Sequence, residues 1–339
     1  MKLKKYSFQN TVAKRLLGLL VAAFCCFSCE SSIYSDQSDC PRGLSLRFVY
    51  DYNMEYVNSF YTKCECVSVY VFDEFGNYLA TYHEIGEKLQ DEKYRMQIDL
   101  DKGNYTLLAY GGMACADKSF YMPTFTTRAV SHIDDMYVEL DHKNFQSDKS
   151  LHPLFYGALE VSIEADDYVE DTVYMIKNTN NIRVVLQQMT GETIAASQFN
   201  FEITDDNSYL NNKNQVVPKG TVTYTPWTQG EEIVGSWDDE QTPVTAVWAE
   251  LSTSRLTTGT SPRLTITKKK DGEEVLSIPL NTYLQLLKSQ LYEEMGAQEY
   301  LDRESEWSMV FFLDDGFRWV NVHIIINGWT VRLNHIDGM

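Results

Sequence analysis

Apolar residues in this chain of 339 recur at every second position, in short runs separated by turn-forming residues. Leu44, Leu46, Phe48 and Tyr50 alternate with Ser45, Arg47, Val49 and Asp51. A period of two places one set of side chains on one face of a strand, so such a run folds as a half-buried β-strand. Val67, Val69 and Val71 repeat the pattern, Asp73-Glu74-Phe75-Gly76-Asn77 supplies turn residues, and Tyr78–Tyr82 returns as a second strand. Tyr94, Met96, Ile98 and Leu100 alternate again, and Asp101-Lys102-Gly103-Asn104 turns the chain into an expected partner strand at Tyr105, Leu107 and Ala109. Met136, Val138 and Leu140 form another short run, as do Leu159, Val161 and Ile163.

After the acidic stretch Glu164-Ala165-Asp166-Asp167 the same grammar restarts with Val173–Ile176, then Ile182, Val184 and Leu186, then Phe199, Phe201 and Ile203. Residues 205–262 are rich in Asn, Thr, Gly and Pro, with strand-like islands at Thr221–Tyr224 and Val244–Trp248. Leu264 and Ile266 pair with Val275 and Ile278 through the turn Lys269-Lys270-Asp271-Gly272. Residues 282–304 break the rule: Leu284, Leu287, Leu291, Met295 and Leu301 fall near helical spacing, which predicts one helix. Strand alternation resumes at Met309, Phe311 and Leu313. The final pair, Val320–Ile326 and Trp329–Leu333, flanks Asn327-Gly328, the strongest hairpin signature in the chain.

Many short strands with aromatic bulk predict an all-β protein of two tandem antiparallel β-sandwich domains, one over residues 40–165 and one, holding the helix, over 166–339. Residues 30–39 are polar and acidic and read as a tether.

The N-terminus places the chain outside the cytoplasm. Lys2, Lys4, Lys5, Lys14 and Arg15 precede an apolar run from Leu16 to Phe24, too short to span a bilayer and built like an export signal. Cys29, with Ser28 before it and Glu30-Ser31-Ser32 after it, resembles the acylated cysteine of a bacterial lipobox, although Cys26 and Phe27 stand where Leu and a small residue are usual. Cys25 would put bulky Phe24 just before the cut, and Cys26 would leave Phe27 directly after it. The expectation is therefore a signal peptide over 1–28 with lipid on Cys29; the alternative is a plain secretory signal cut nearby. Removing the five cations of the leader takes the net charge from −19 to −24. A chain that acidic repels nucleic acid and anionic headgroups, so neither is an expected partner.

Cys40, Cys64, Cys66 and Cys115 remain as disulfide candidates, with three possible connectivities. Cys64 and Cys66 point the same way on a strand and are poor partners for each other. Metal binding is the weaker reading, because Cys64-Glu65-Cys66 lacks a two-residue spacer and has no adjacent His.

Several segments, in order, resemble the FimB/Mfa-type fimbrial anchor lipoproteins of Bacteroidales. They are Cys40-Pro41-Arg42-Gly43-Leu44-Ser45-Leu46-Arg47-Phe48 with Tyr50-Asp51-Tyr52-Asn53, Val69-Tyr70-Val71-Phe72-Asp73, and Gly103–Gly112, where Tyr110 replaces a frequent Trp. Lys177–Val184, Tyr300-Leu301-Asp302-Arg303-Glu304 and Ile326-Asn327-Gly328-Trp329 continue the series. The resemblance implies transthyretin-like sandwiches, a lipid-held place at the outer membrane at the base of a type V fimbrium, and a fimbrial shaft subunit as partner. It also implies a part in ending polymer growth. Related shaft subunits lose an N-terminal strand to an Arg-specific protease and are completed by a neighbour's strand. Anchors are expected to stay uncut at Arg42 and Arg47, because cleavage there would sever fold from lipid. A further expectation is that Val320–Ile336 takes part in contact with the next subunit; an ordinary core hairpin is the competing account.

His83, His132, His142, His152, His323 and His335 form no metalloenzyme pair, and no nucleophile elbow, phosphate loop or dinucleotide fingerprint is present, so neither an enzyme nor a cofactor is expected. The acid pairs Asp166-Asp167, Asp205-Asp206, Asp238-Asp239 and Asp314-Asp315 read as solvated turns, none matching a spaced calcium loop. Trp227, Trp237 and Trp248 suggest the main rival, a glycan-binding surface lipoprotein; the plainer account puts such rings in the core.

Overall fold

The computed structural model describes residues 42–123, 132–164, 167–189, 193–236, 243–320 and 323–332. Strand Gly43–Val49 forms where the first alternating run stands. It lies between two partners, strand Tyr168–Tyr174 running parallel and strand Met96–Asp99 running antiparallel. Its start requires glycine: Gly43 has φ 148°, and a Cβ there would come within 1.9 Å of the Ile98 carbonyl oxygen.

Opposite this three-stranded sheet lies a five-stranded one, ordered Ile176–Lys177, Phe155–Ile163, Gly103–Gly111, Cys66–Asp73 and Tyr78–Ile85. Leu44, Leu46 and Phe48 meet Val67, Val69, Val71, Leu107 and Ala109 between the two sheets. Strand Cys66–Asp73 is buried on both faces, since Tyr70 and Phe72 pack into a second and larger core with Leu108, Val138 and Leu210.

That core continues into a second sandwich. Its six-stranded sheet runs Thr228–Ser236, Pro243–Ser254, Thr179–Gln188, Glu306–Leu313, His323–Ile326 and Trp329–Arg332. Its five-stranded sheet runs Glu274–Pro279, Arg263–Lys268, Phe199–Asp205, Val222–Tyr224 and Gln146–Ser147. Ile182, Val184, Val247, Leu251, Met309 and Phe311 face Phe199, Phe201, Ile203, Leu264 and Ile266. The all-β sandwich class expected from the alternation is the observed one.

Four details depart from the sequence reading. Strands Met96–Asp99 and Gly103–Gly111 are not partners: the first pairs with Gly43–Leu46 and the second with Cys66–Asp73 and Phe155–Ile163. The residues at 101–104 turn the chain, but carry it across to the opposite sheet. The single helix expected over 282–304 is two, Leu280–Leu291 and Ala297–Arg303. Tyr292 leaves helical geometry (φ −133°, ψ 45°) and Gly296 starts the next helix with φ −58° and ψ 146°. A one-turn helix, Phe60–Lys63, also precedes strand Cys66–Asp73. Finally, sheet membership does not change hands at 165/166. Strand Tyr168–Tyr174 belongs with Gly43–Val49, whereas Gln146–Ser147 pairs with Val222–Tyr224 and Tyr137–Leu140 with Tyr209–Asn211.

The last hairpin forms as its turn dictates. Asn327 and Gly328 both take left-handed backbone (φ 48° and 81°), which the tight reversal between His323–Ile326 and Trp329–Arg332 requires. Strand Trp329–Arg332 is the edge of the six-stranded sheet.

Candidate functional site

Cys29, the tether and Cys40 lie outside the described residues. Arg42, just before the first strand, is ion-paired with Asp101. Arg47, half-buried in the same strand, reaches Glu92 at 3.7 Å. Cys66 is bonded to Cys115, with Cα atoms 5.6 Å apart, and Cys64 is a buried thiol donating to the Cys66 carbonyl oxygen at 3.2 Å. Burial pushes that thiol up to about 12, so it is neutral and unreactive at physiological pH.

The histidines are scattered and occupied by local contacts. The Nδ1 of His83 meets the Ser68 hydroxyl at 2.8 Å, and His132 caps a short turn by accepting from the Asp134 backbone. The side chain of His323, and His335, lie outside the described set. Among the described residues no three His, Cys, Asp or Glu side chains cluster in a way that would hold a metal. Asp314 organises a turn, accepting from the backbone of Gly316 and Arg318. Asp205 does not fit the solvated-turn reading. It is 3% exposed, accepts from the Thr260 hydroxyl and the Asp206 N–H, and burial raises its pKa to about 6. Asp166 and the Asp238-Asp239 pair lie outside the described residues.

Seven of the described tyrosines are buried, Tyr110, Tyr224, Tyr283 and Tyr300 fully so, and most of the others are half-buried. Trp248 lies under the Arg183 guanidinium (5.0 Å to the ring centroid), and its other neighbour is Gly230, where a Cβ would sit 2.6 Å from the ring. Trp227 is 44% exposed, and Trp237 lies outside the described residues.

The motifs singled out from sequence come together at one seam. Arg303, from the Ala297–Arg303 helix, lies 4.1 Å from the ring centroid of Tyr52 and 4.6 Å from that of Tyr56. It donates to the carbonyl oxygens of Asp51 and Asn53 at 3.4 Å, and its Nε holds Glu299 at 2.7 Å. One residue on, the half-buried Glu304 carboxylate accepts from the backbone of Ser305 and Glu306 and from Asn327 of the last hairpin. Lys177 bonds Ser305 and Glu306, Asn178 and Asn214 share a buried amide pair, and Asn180 accepts from the indole of Trp307. Arg255 grips Asp302 by two bonds of 2.8 Å. No single motif carries chemistry; together they make a polar seam between the segment 50–59, the helix 297–303 and the start of strand Thr179–Gln188. Sequence spacing gave no sign that Arg303 would reach the tyrosine loop some 250 residues earlier.

The described strands and motifs match a family of known fimbrial proteins. The family described as fimbrillin-A associated anchor proteins Mfa1 and Mfa2 matches residues 37–335. The chain belongs to that family. A candidate adhesin from Bacteroides thetaiotaomicron is 50% identical with a TM-score of 0.83, the match covering 88% of this chain and all of that one. A candidate polysaccharide-binding protein from the same species is 28% identical (TM-score 0.75) over 88% of this chain and all of that one. The fimbrial anchor protein Mfa2 from Porphyromonas gingivalis, at 17% identity and a TM-score of 0.65, shares the fold over 86% of this chain and 99% of its own. No match was found among curated protein sequences. Membership of the family makes this a fimbria-associated protein of the cell surface.

Proposed function

We propose that the chain is a non-enzymatic anchor, held in the outer membrane by lipid on Cys29, that fastens a fimbrium to the cell and limits its growth. The observation that supports this most directly is the seating of the first strand. Gly43–Val49 is paired over its whole length with the parallel strand Tyr168–Tyr174, in register from Gly43↔Tyr168 to Val49↔Tyr174. The tether would pull on the Gly43 end. Strand Tyr168–Tyr174 leads from its other end through Ile176–Lys177 into Thr179–Gln188 of the second sandwich. Opposed pulls on the start of one strand and the end of its parallel neighbour act along the strand axes. The hydrogen bonds lie across that direction, so they share the load. Separating such a pair requires breaking many bonds at once. Two or more acyl chains give a stable membrane hold, at about 0.8 kcal/mol per buried methylene.

The growing polymer would contact the second sandwich, with the edge strand Trp329–Arg332 as one place where another strand adds by backbone pairing. The test is Cys29→Ala in the native host. The variant is expected to lack acyl mass at its mature start and to release both itself and fimbriae into the medium. Full retention of protein and fimbriae in the envelope sinks the reading.

A second reading, glycan binding, draws on the polysaccharide-binding description of the relative at 28% identity and on the exposed ring of Trp227. A glycan-array signal abolished by Trp227→Ala would support it. Trp248, covered by Arg183 on one side and packed at Gly230, offers less free ring to a sugar.

A further inference from the structure

Beside the Arg303 seam the surface opens into a cleft of about 370 Å³ lined by Tyr56, Leu291, Tyr292, Met295 and the acids Glu293, Glu294 and Glu299. Its apolar members are unusually exposed: Tyr56 is 59% accessible, its neighbour Val57 56% and Leu291 43%. Single exposed apolar residues need no explanation, but apolar side chains gathered at one cleft mark a contact surface. Tyr56 also holds a left-handed backbone (φ 55°), uncommon for an aromatic residue and unfavourable. Burial does not offset that cost.

The chemistry of the cleft is legible from its inner wall. Arg303 already sits against the Tyr56 ring with its Nε on Glu299, so this tyrosine–carboxylate setting holds a guanidinium within the chain itself. Glu293 and Glu294 are exposed and have no ion-pair partner among the described residues; the nearby Lys288 ammonium bonds the Glu293 carbonyl oxygen rather than a carboxylate. Tyr292, half-buried, supplies a second ring. Two unpaired carboxylates at an aromatic and aliphatic wall complement a cationic side chain with an apolar neighbour. The geometry points to this cleft as the seat for an arginine or lysine of the next fimbrial subunit, with an adjacent apolar side chain laid on Leu291 and Tyr56. This inference rests on the anchor reading and specifies where and by what chemistry the polymer is gripped.

The experiment uses the full-length lipoprotein in cells, with the photo-cross-linker p-benzoylphenylalanine at position 291. A control carries it at Phe75, which is 73% exposed on the turn after strand Cys66–Asp73, at the other end of that strand from the helix Phe60–Lys63 that follows the Tyr56 loop. An adduct with a fimbrial subunit is expected from position 291. The pair Glu293→Lys and Glu294→Lys, both on the surface, should cut its yield about tenfold without changing the amount of lipoprotein. Absence of that adduct, an adduct from Phe75 alone, or a yield unmoved by the charge reversals overturns the seat and leaves the anchor reading standing. Cell-attached fimbriae of normal length after deletion of the gene would instead remove the anchor reading itself.

Discussion

The guanidinium of Arg303 stacks on the ring of Tyr52 at 4.1 Å, joining a helix of the last third of the chain to the loop that follows its first strand. The same side chain touches Tyr56 and donates to two backbone carbonyls of that loop, with only 13% of its surface exposed. A charge so placed is held by rings, carbonyls and one carboxylate together. Removing it takes a donor from the Glu299 carboxylate and from the Asp51 carbonyl oxygen, while the Asn53 oxygen keeps the Tyr56 N–H.

Arg303→Ala is therefore expected to lower stability by about 2 kcal/mol, combining a partly desolvated cation–π contact with lost charge-assisted hydrogen bonds. Arg303→Lys should recover only part of that, since an ammonium cannot both stack and bond in a plane. Urea unfolding of the soluble chain measures both; equal stability of wild type and Arg303→Ala would show the seam to be inert.

Asp205 sets a pH dependence. Its carboxyl has no cationic partner at hydrogen-bond distance among the described residues, and burial raises its pKa from 3.8 to about 6. The folded state therefore binds a proton that the unfolded state has released between about pH 4 and pH 6. Stability falls as pH rises through that window, by up to about 3 kcal/mol for this group alone. Asp205→Asn keeps an acceptor for Thr260 without the charge. It should raise the melting temperature at pH 8 and lose that advantage near pH 4. A pH-independent effect would mean that the carboxyl is not the titrating group.

The Cys66–Cys115 bond closes a loop with a sequence separation of 49. Loop-closure entropy for that span gives about 4 kcal/mol as a ceiling. Reduction, or Cys115→Ser, should lower stability by about 2–4 kcal/mol. Cys64, 3% exposed, should stay silent to a thiol reagent until the chain unfolds. Rapid labelling of Cys64 in the native protein would contradict the packing described.

Leu46 is fully buried at the centre of the first strand, Gly43–Val49. Leu46→Ala should cost about 2–5 kcal/mol through lost burial and the cavity left behind. It should also lower the force needed to extract the folded protein by its N-terminus, read by single-molecule pulling. A drop in equilibrium stability with unchanged rupture force would place the load path elsewhere.

The period-two runs located most strands because alternation is a local property that any half-buried strand must show. The Asn327-Gly328 turn was equally legible, since left-handed backbone at two successive positions selects few residues. Pairing was harder to read. Residues 101–104 signal a reversal, but nothing in them says that Met96–Asp99 stays in one sheet while Gly103–Gly111 enters the other. The helix break at Tyr292 escaped because apolar residues keep helical spacing across it. The Arg303 seam could not be read from spacing at all: the contact between Tyr52 and Arg303 is made by the tertiary fold, and each motif alone looks ordinary.

The Gly43–Val49 strand fills its own slot, with a neighbour on each side and Leu44, Leu46 and Phe48 packed beneath it. A slot emptied of such a segment would be open to a visiting strand, which could pair with both neighbours. A subunit that keeps it is a closed terminus. If the anchor reading holds, polarity of the whole filament follows from one retained segment: units join on the far side only, and the membrane side is finished from the moment the protein folds.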